Sequence, residues 1–288
     1  MVLSAAWPAA AHGGSAHRAE FGWTLDPWVV VPLLVVSGLS IAGAARLYRR
    51  ARRGRVQLHG RVTCLCLGLL CVAGALLSPL HAIGEALFTA HMIEHEIVMA
   101  VAAPLIVLAR PLGILLFALP RHIRHRAGRA FRQPKPLALW RIVSNGGVAT
   151  LLHGAVIWMW HLPALFDPVV ETLLLHRLQH ATFLLTALLF WWAVLWKAAR
   201  GVAAWHLFTT MMHTSLLGAL IALSPVVLYP VQTRLAPEFG LTPLEDQQMA
   251  GMLMWVPAGT VYAAAALYLI AAWIRSSGKE MHREASPL

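Results

Sequence analysis

Long apolar runs separated by short polar or basic loops recur along the whole 288-residue chain. An α-helix rises about 1.5 Å per residue, so about twenty apolar residues cross the roughly 30 Å hydrocarbon core of a bilayer. Seven such runs are read here: residues 28–47, 62–78, 86 or 87–109, 142–161, 172–196, 205–229 and 246–274. Pro79 closes the second run, and Pro104 predicts a kink in the third that a surrounding bundle can tolerate. The longest connection, 111–141, contains an apolar piece at 113–119 that is too short to span and is expected to lie at the interface. The expected architecture is an all-α, polytopic membrane protein, a bundle of seven transmembrane helices. It has an extracytoplasmic segment 1–27, a transmembrane domain 28–274 and a cytoplasmic tail 275–288, without internal repeat or second domain. Residues 1–26 are small and mixed, with no basic region leading into an apolar one, so they do not read as a cleavable signal.

Composition agrees with a membrane protein: 59% of residues are hydrophobic and only 12% are charged. The net charge of +11 would suit a nucleic-acid partner if it formed a surface patch, but it does not. Twenty of the 23 Lys and Arg lie in alternate loops and the C-terminal tail, leaving Arg18, Arg177 and Arg234 on the other side. By the positive-inside rule the N-terminus faces out and the C-terminus faces the cytoplasm. No nucleic acid is expected, and the lipid bilayer is the surrounding partner. Trp28 and Trp160 at outer ends, with Trp140, Trp196, Trp205 and Trp273 at inner ends, are expected to act as interface anchors.

Orientation places the histidines by depth. His91 and His95 are four residues apart at the outer end of the third run, which puts them about 40° apart on one helix face. Met92 and Met99 continue that stripe. His176 and His180 repeat the spacing at the outer end of the fifth run, at matching depth. His161 closes the fourth run, and Asp246 with Gln247 opens the seventh, followed by Met249, Met252 and Met254. Polar groups within spans are costly unless they face the bundle interior, so these residues are expected to converge. Ionisable residues at helix entrances commonly mark only the water boundary, but two four-spaced imidazole pairs at one depth favour a metal.

Imidazole with thioether and no thiolate in reach favours copper, particularly Cu(I), while imidazole alone also suits zinc. Cys64, Cys66 and Cys71 lie toward the cytoplasmic half of the second run and are expected to be small buried core residues. His153 and His213 lie deeper, where a hydrogen-bonded core histidine and a second binding station are equally good readings. The run His91-Met92-Ile93-Glu94-His95 also fits the H-x-x-E-H pattern of zinc peptidases, although no neighbouring segment supplies the rest of such a catalytic domain. Haem clamped between histidines of facing helices is the more serious rival. A retinal protein is disfavoured because the seventh run has no lysine.

Several blocks together resemble a known family. They are His91-Met92 with His95, Ala103-Pro104-Leu105-Ile106-Val107-Leu108, Trp158-Met159-Trp160-His161-Leu162-Pro163, and His176 with His180. The last and most specific is Asp246-Gln247-Gln248-Met249-Ala250-Gly251-Met252-Leu253-Met254-Trp255-Val256-Pro257. Over residues 80–274 the chain is similar to the multi-span CtaG-type assembly factors of bacterial cytochrome c oxidase. The resemblance implies a role in oxidase maturation tied to copper, and Glu94 and Glu96 stand outside the pattern. The combined expectation is an assembly factor of the bacterial plasma membrane, not an enzyme, which binds copper near the outer face and helps install it in a cytochrome c oxidase subunit. An extracytoplasmic copper donor is the expected supplier. His91, His95, His176 and His180 are the expected ligands, with Met92, Asp246 and His161 as further candidates. The alternatives are a haem-bearing redox protein and a copper or proton transporter.

Overall fold

A computed structural model describes residues 22–50 and 54–284, and every regular element among them is a helix. Most of the expected segment 1–27 and the last four residues of the expected tail lie outside the described residues. The elements are α1 (Pro27–Arg50), α2 (Arg55–Leu76), α3 (Pro79–Gly84), α4 (Phe88–Glu96), a π-helical stretch Ile97–Ala102, α5 (Ala103–Leu108), α6 (Pro111–Ala118) and α7 (Arg121–Phe131). They continue with α8 (Pro134–Val143), α9 (Gly146–Trp160), α10 (Pro163–Glu171), α11 (Leu173–Trp196), α12 (Arg200–Ala222), a short 3-10 turn Ala236–Phe239 and α13 (Pro243–Glu284).

Five helices are each long and apolar enough to cross a membrane: α1, α2, the rod Phe88–Leu108, α11 and α13. A sixth crossing is made if α8 and α9, bent 67° apart, are counted as one. The chain is thus an all-helical, multi-pass membrane protein. The expected run 205–229 corresponds to α12, which ends at Ala222 and carries His206, Thr209, Thr210, His213, Thr214 and Ser215. Those groups lower its hydropathy, and residues 223–242 form a link that folds over the end of the bundle. The expected tail is not a separate segment, because α13 runs on to Glu284.

The third span shows how sequence sets local geometry. Proline cannot donate to the ladder, so Pro104 leaves the carbonyl of Met99 without the partner that a π-turn would supply. Trp191 Nε1 of α11 donates to that carbonyl at 3.0 Å, and Trp196 Nε1 donates to Val107 O at 3.1 Å. The expected kink is therefore a six-residue π-helical stretch stitched to α11 by two indoles. Basic residues close helix ends at the opposite face from the histidines. Arg61 of α2 donates to Ala109 O at 2.8 Å and Arg110 O at 3.0 Å, while Arg46 of α1 donates to Phe117 O and Ala118 O at the end of α6. Residues 113–119, expected at the interface, form most of α6, which backs onto α1 at Gly43. A Cβ there would collide with the Ile114 carbonyl.

Several expectations about side chains give way. Trp160 and Trp196 turn into the bundle: Trp160 is buried with Nε1 donating to Thr182 Oγ1 at 2.9 Å, and Trp196 Nε1 donates to the third span. Trp28, Trp140, Trp205 and Trp273 do remain exposed. Cys66 is exposed, and Cys64 and Cys71 are half-buried, because α2 lies at the edge of the bundle. Met249 and Met252 face outward, and only Met254 of that trio is buried.

Candidate metal centre

Six helical segments and a loop meet at the end of the bundle away from the arginine-rich loops. α4 presents His91 and His95 in its first two turns, with ring centroids 4.3 Å apart. α11 presents His176 and His180 in its first two turns, at 4.6 Å. The two pairs face each other: His91 is 5.4 Å from His176 and 5.9 Å from His180, and His95 is 5.1 Å from His180. One ring nitrogen from each of His91, His176 and His180 falls within 4.8 Å of the other two, close enough for the three to share an ion. His161, at the end of α9, completes the group at 6.4 Å from His95.

The polar atoms of this group lack partners. His91 Nε2, His176 Nε2, His180 Nε2, His161 Nε2 and both nitrogens of His95 are buried without a hydrogen bond. A buried polar group left unpaired costs roughly 1–3 kcal/mol, so a collection of them in one place is costly unless a metal ion or another polar partner meets them. Neutral imidazole is the metal-binding form. His161 has the arrangement typical of a ligand: its Nδ1–H donates to Ile157 O at 2.7 Å, which fixes the ring and leaves Nε2 as a bare lone pair. These residues fit a transition metal that prefers nitrogen donors.

Asp246 does something else. Its carboxylate accepts from Phe88 N at 2.8 Å, Thr89 N at 2.9 Å and Thr89 Oγ1 at 2.7 Å. Leu87, at the N-cap position of α4, has no capping side chain, so Asp246 caps that helix from α13. The expected convergence of Asp246 on the histidines is corrected to this role: both of its oxygens are committed one turn before His91. Gln247 beside it accepts from Leu228 N at 2.5 Å and donates to Val226 O at 3.1 Å, which pins the 223–242 link. Met92 is buried in the apolar cluster that also holds Phe88, Phe166 and Tyr229.

Two residues that sequence reasoning did not place in the site are present. His81 of α3 stacks on His176 at 5.4 Å, and its Nδ1 donates to Glu94 Oε2 at 3.0 Å. Glu94 is fully buried, and the same oxygen lies 3.8 Å from His180 Nε2. Burial alone would lower the His81 pKa, but the hydrogen bond and charge of Glu94 outweigh it and hold it above the ordinary value. The link forms the roof. Tyr229 OH donates to His161 O at 2.6 Å, and Gln232 Nε2 donates to Gly84 O at 2.8 Å. Arg177 grips Asp26 through two 2.9 Å bonds and so ties the start of α1 to α11 beside His176.

The deeper histidines stay apart from the cluster. His153 Nδ1 lies 3.1 Å from Thr186 Oγ1, which itself donates to Thr182 O, and the His153 ring stacks on Phe190 at 5.4 Å. His213 packs beside Gly154, and His206 pairs with Thr150 Oγ1 at 3.1 Å near the basic end.

The family comparison decides what kind of protein carries this site. The profile of the cytochrome c oxidase caa3 assembly factors, Caa3_CtaG, matches residues 38–276. The chain belongs to the cytochrome c oxidase caa3 assembly factor family. The matched region contains every histidine of the cluster and bears out the resemblance read from the blocks between residues 80 and 274. No curated protein and no solved structure matches the chain.

Proposed function

We propose that this assembly factor binds copper at the outer end of its bundle and passes it to a cytochrome c oxidase subunit in the bacterial plasma membrane. The observation that carries the reading is the set of unpartnered imidazole nitrogens on His91, His95, His161, His176 and His180, brought together from α4, α9 and α11. Copper suits imidazole donors, and an oxidase assembly factor has a partner whose maturation consumes it. The aromatic walls disfavour the haem alternative. Phe183 lies 4.7 Å from the His95 ring and 6.1 Å from His161, with Phe166 6.2 Å from His161, where a porphyrin plane would need room. A delivery protein needs no catalytic group; it must hold the ion tightly enough to capture it and loosely enough to release it. An extracytoplasmic donor supplies the ion. Metal analysis of the purified protein is expected to find copper in excess of zinc and iron. Iron with a porphyrin absorption band would replace this reading by a haem protein.

The same proposal carries seven spans, with the N-terminus outside and the C-terminus cytoplasmic. α12 has 23 residues, which at about 1.5 Å each is enough to cross. Two of its polar groups are answered inside the bundle, His206 by Thr150 and Thr214 by the Thr210 carbonyl, while His213 lies beside Gly154 of α9. With α8 and α9 as one bent crossing, the basic loops all fall on one side. A reporter that works only outside the cytoplasm is expected to be active when fused after Ala82 or Leu235 and inactive after Gly54, Gly128 or Gly278. The reverse pattern would place the histidines at the cytoplasmic face and remove the outer-face site.

A further inference from the structure

Among the described residues Glu94 is the carboxylate that pairs with histidines of the cluster, and the fold makes a dedicated place for it. Its side chain is 0% exposed. A Cβ on Gly84 would collide with its carboxylate, so the glycine at the end of α3 leaves the cradle in which the carboxylate sits. The Gly84 carbonyl is itself held by the buried Gln232. His81 holds Oε2 at 3.0 Å, that oxygen is 3.8 Å from His180 Nε2, and Oε1 is buried with no hydrogen-bond partner. A carboxyl group kept from water without full hydrogen bonding either takes up a proton or is compensated by a cation. One hydrogen-bond partner, His81, stands on its outer side; on its inner side are imidazoles with free lone pairs.

We infer that Glu94 is the anionic ligand of the metal site, entering beside His180 at the edge of the close triad that His180 forms with His91 and His176, and that the site therefore takes copper as Cu(II). This inference rests on the copper reading above. Oxygen donors favour harder ions than thioethers do, and Met92, the thioether on α4 between His91 and His95 in sequence, is packed in the apolar cluster. A single negative charge among neutral imidazoles offsets half the charge of a divalent ion, which matters more in a buried site than at a surface. His81 keeps the carboxylate oriented, in the manner of groups that support a metal ligand from behind.

The test compares the two oxidation states on the purified full-length protein. Cu(II) binding is followed by electron paramagnetic resonance titration and Cu(I) binding by competition with a chromophoric Cu(I) chelator. Glu94→Gln, which keeps shape and removes charge, is expected to weaken Cu(II) by about 10- to 100-fold while Cu(I) binding changes far less. Glu94→Asp, which restores the charge on a shorter arm, is expected to recover part of the Cu(II) affinity. Wild-type affinities for both ions that survive Glu94→Gln unchanged would overturn the inference, and so would equal losses for both ions or a wild-type protein that takes Cu(I) only. Each of those outcomes leaves copper binding itself standing. A wild-type protein that binds neither ion overturns the copper reading and this inference together.

Discussion

Protein with His91, His95, His176 and His180 all replaced by alanine is expected to retain no copper after dialysis, whereas His206→Ala retains as much as the wild type. The four rings supply two of the three mutually close donors on α11 and the remaining one, with its neighbour, on α4. Without them His161 Nε2, the Glu94 carboxylate and His81, which is bound to that carboxylate, are left near the site. Among single replacements, His91, His176 and His180 are expected to cost more affinity than His95, because their nitrogens form the close triad. The bundle stays assembled in each case. Its packing rests on apolar clusters and on the Trp191 and Trp196 bonds between α11 and the third span, none of which involves these rings. A ligand at a hundred times its Kd stabilises the folded state by about 2.7 kcal/mol, so copper is expected to raise the melting temperature of the wild type and not of the quadruple variant. Full copper loading of that variant, measured by elemental analysis, would refute the site.

How far the site was legible follows from the periodicity of each element. His91 with His95 and His176 with His180 lie on long apolar helices, where four-residue spacing fixes a shared face, and equal depth along two spans brings the pairs level. Nothing comparable locates His81. It lies in a six-residue helix within a short link, and so short an element has no periodicity to read. Glu94 is two residues from Glu96 and adjacent to His95, so it reads as part of a polar helix entrance. Only the Gly84 cradle and the approach of α3 show that it turns inward. The sequence marks Asp246 as a site candidate, and the fold commits its carboxylate to the start of α4. A carboxylate opening a buried helix is equally suited to a metal or to another helix's free N–H groups, and the choice depends on how α13 meets α4. The block around it does two jobs: Asp246 fixes the start of the helix that carries His91 and His95, and Gln247 fixes the link that roofs the histidine cluster.

α12 and the third span illustrate the same limit for the fold. Average hydropathy identifies helices that are apolar all round, and α12 is not, since His206 pairs with Thr150 of α9 and Thr214 bonds within its own backbone. The π-helical stretch follows from Pro104 only once a neighbour is available to take the freed Met99 carbonyl, and that neighbour, Trp191, is 92 residues away in sequence. The features missed are those that depend on contacts between distant segments.

Cells lacking this protein are expected to make oxidase subunits that insert and take haem, yet to show low oxidase activity because a copper centre is unfilled. The reason is geometric. A copper ion held between the first turns of α4 and α11 lies at one end of the bundle, within the outer third of the bilayer if the N-terminus is outside. A membrane-embedded copper centre of a partner subunit at that depth can receive the ion laterally, without its crossing hydrocarbon, whereas a soluble donor reaches only surface-exposed sites. Transfer runs toward the tighter site, since a ligand moves a population only by the difference in affinity it experiences. Added external copper is therefore expected to restore part of the activity in the deletion strain, and to a similar extent in a strain carrying His91→Ala with His95→Ala. Copper and haem are then measured on the isolated oxidase. An oxidase from the deletion strain that contains its full copper but no haem would overturn copper delivery and assign this family member to the haem branch of assembly.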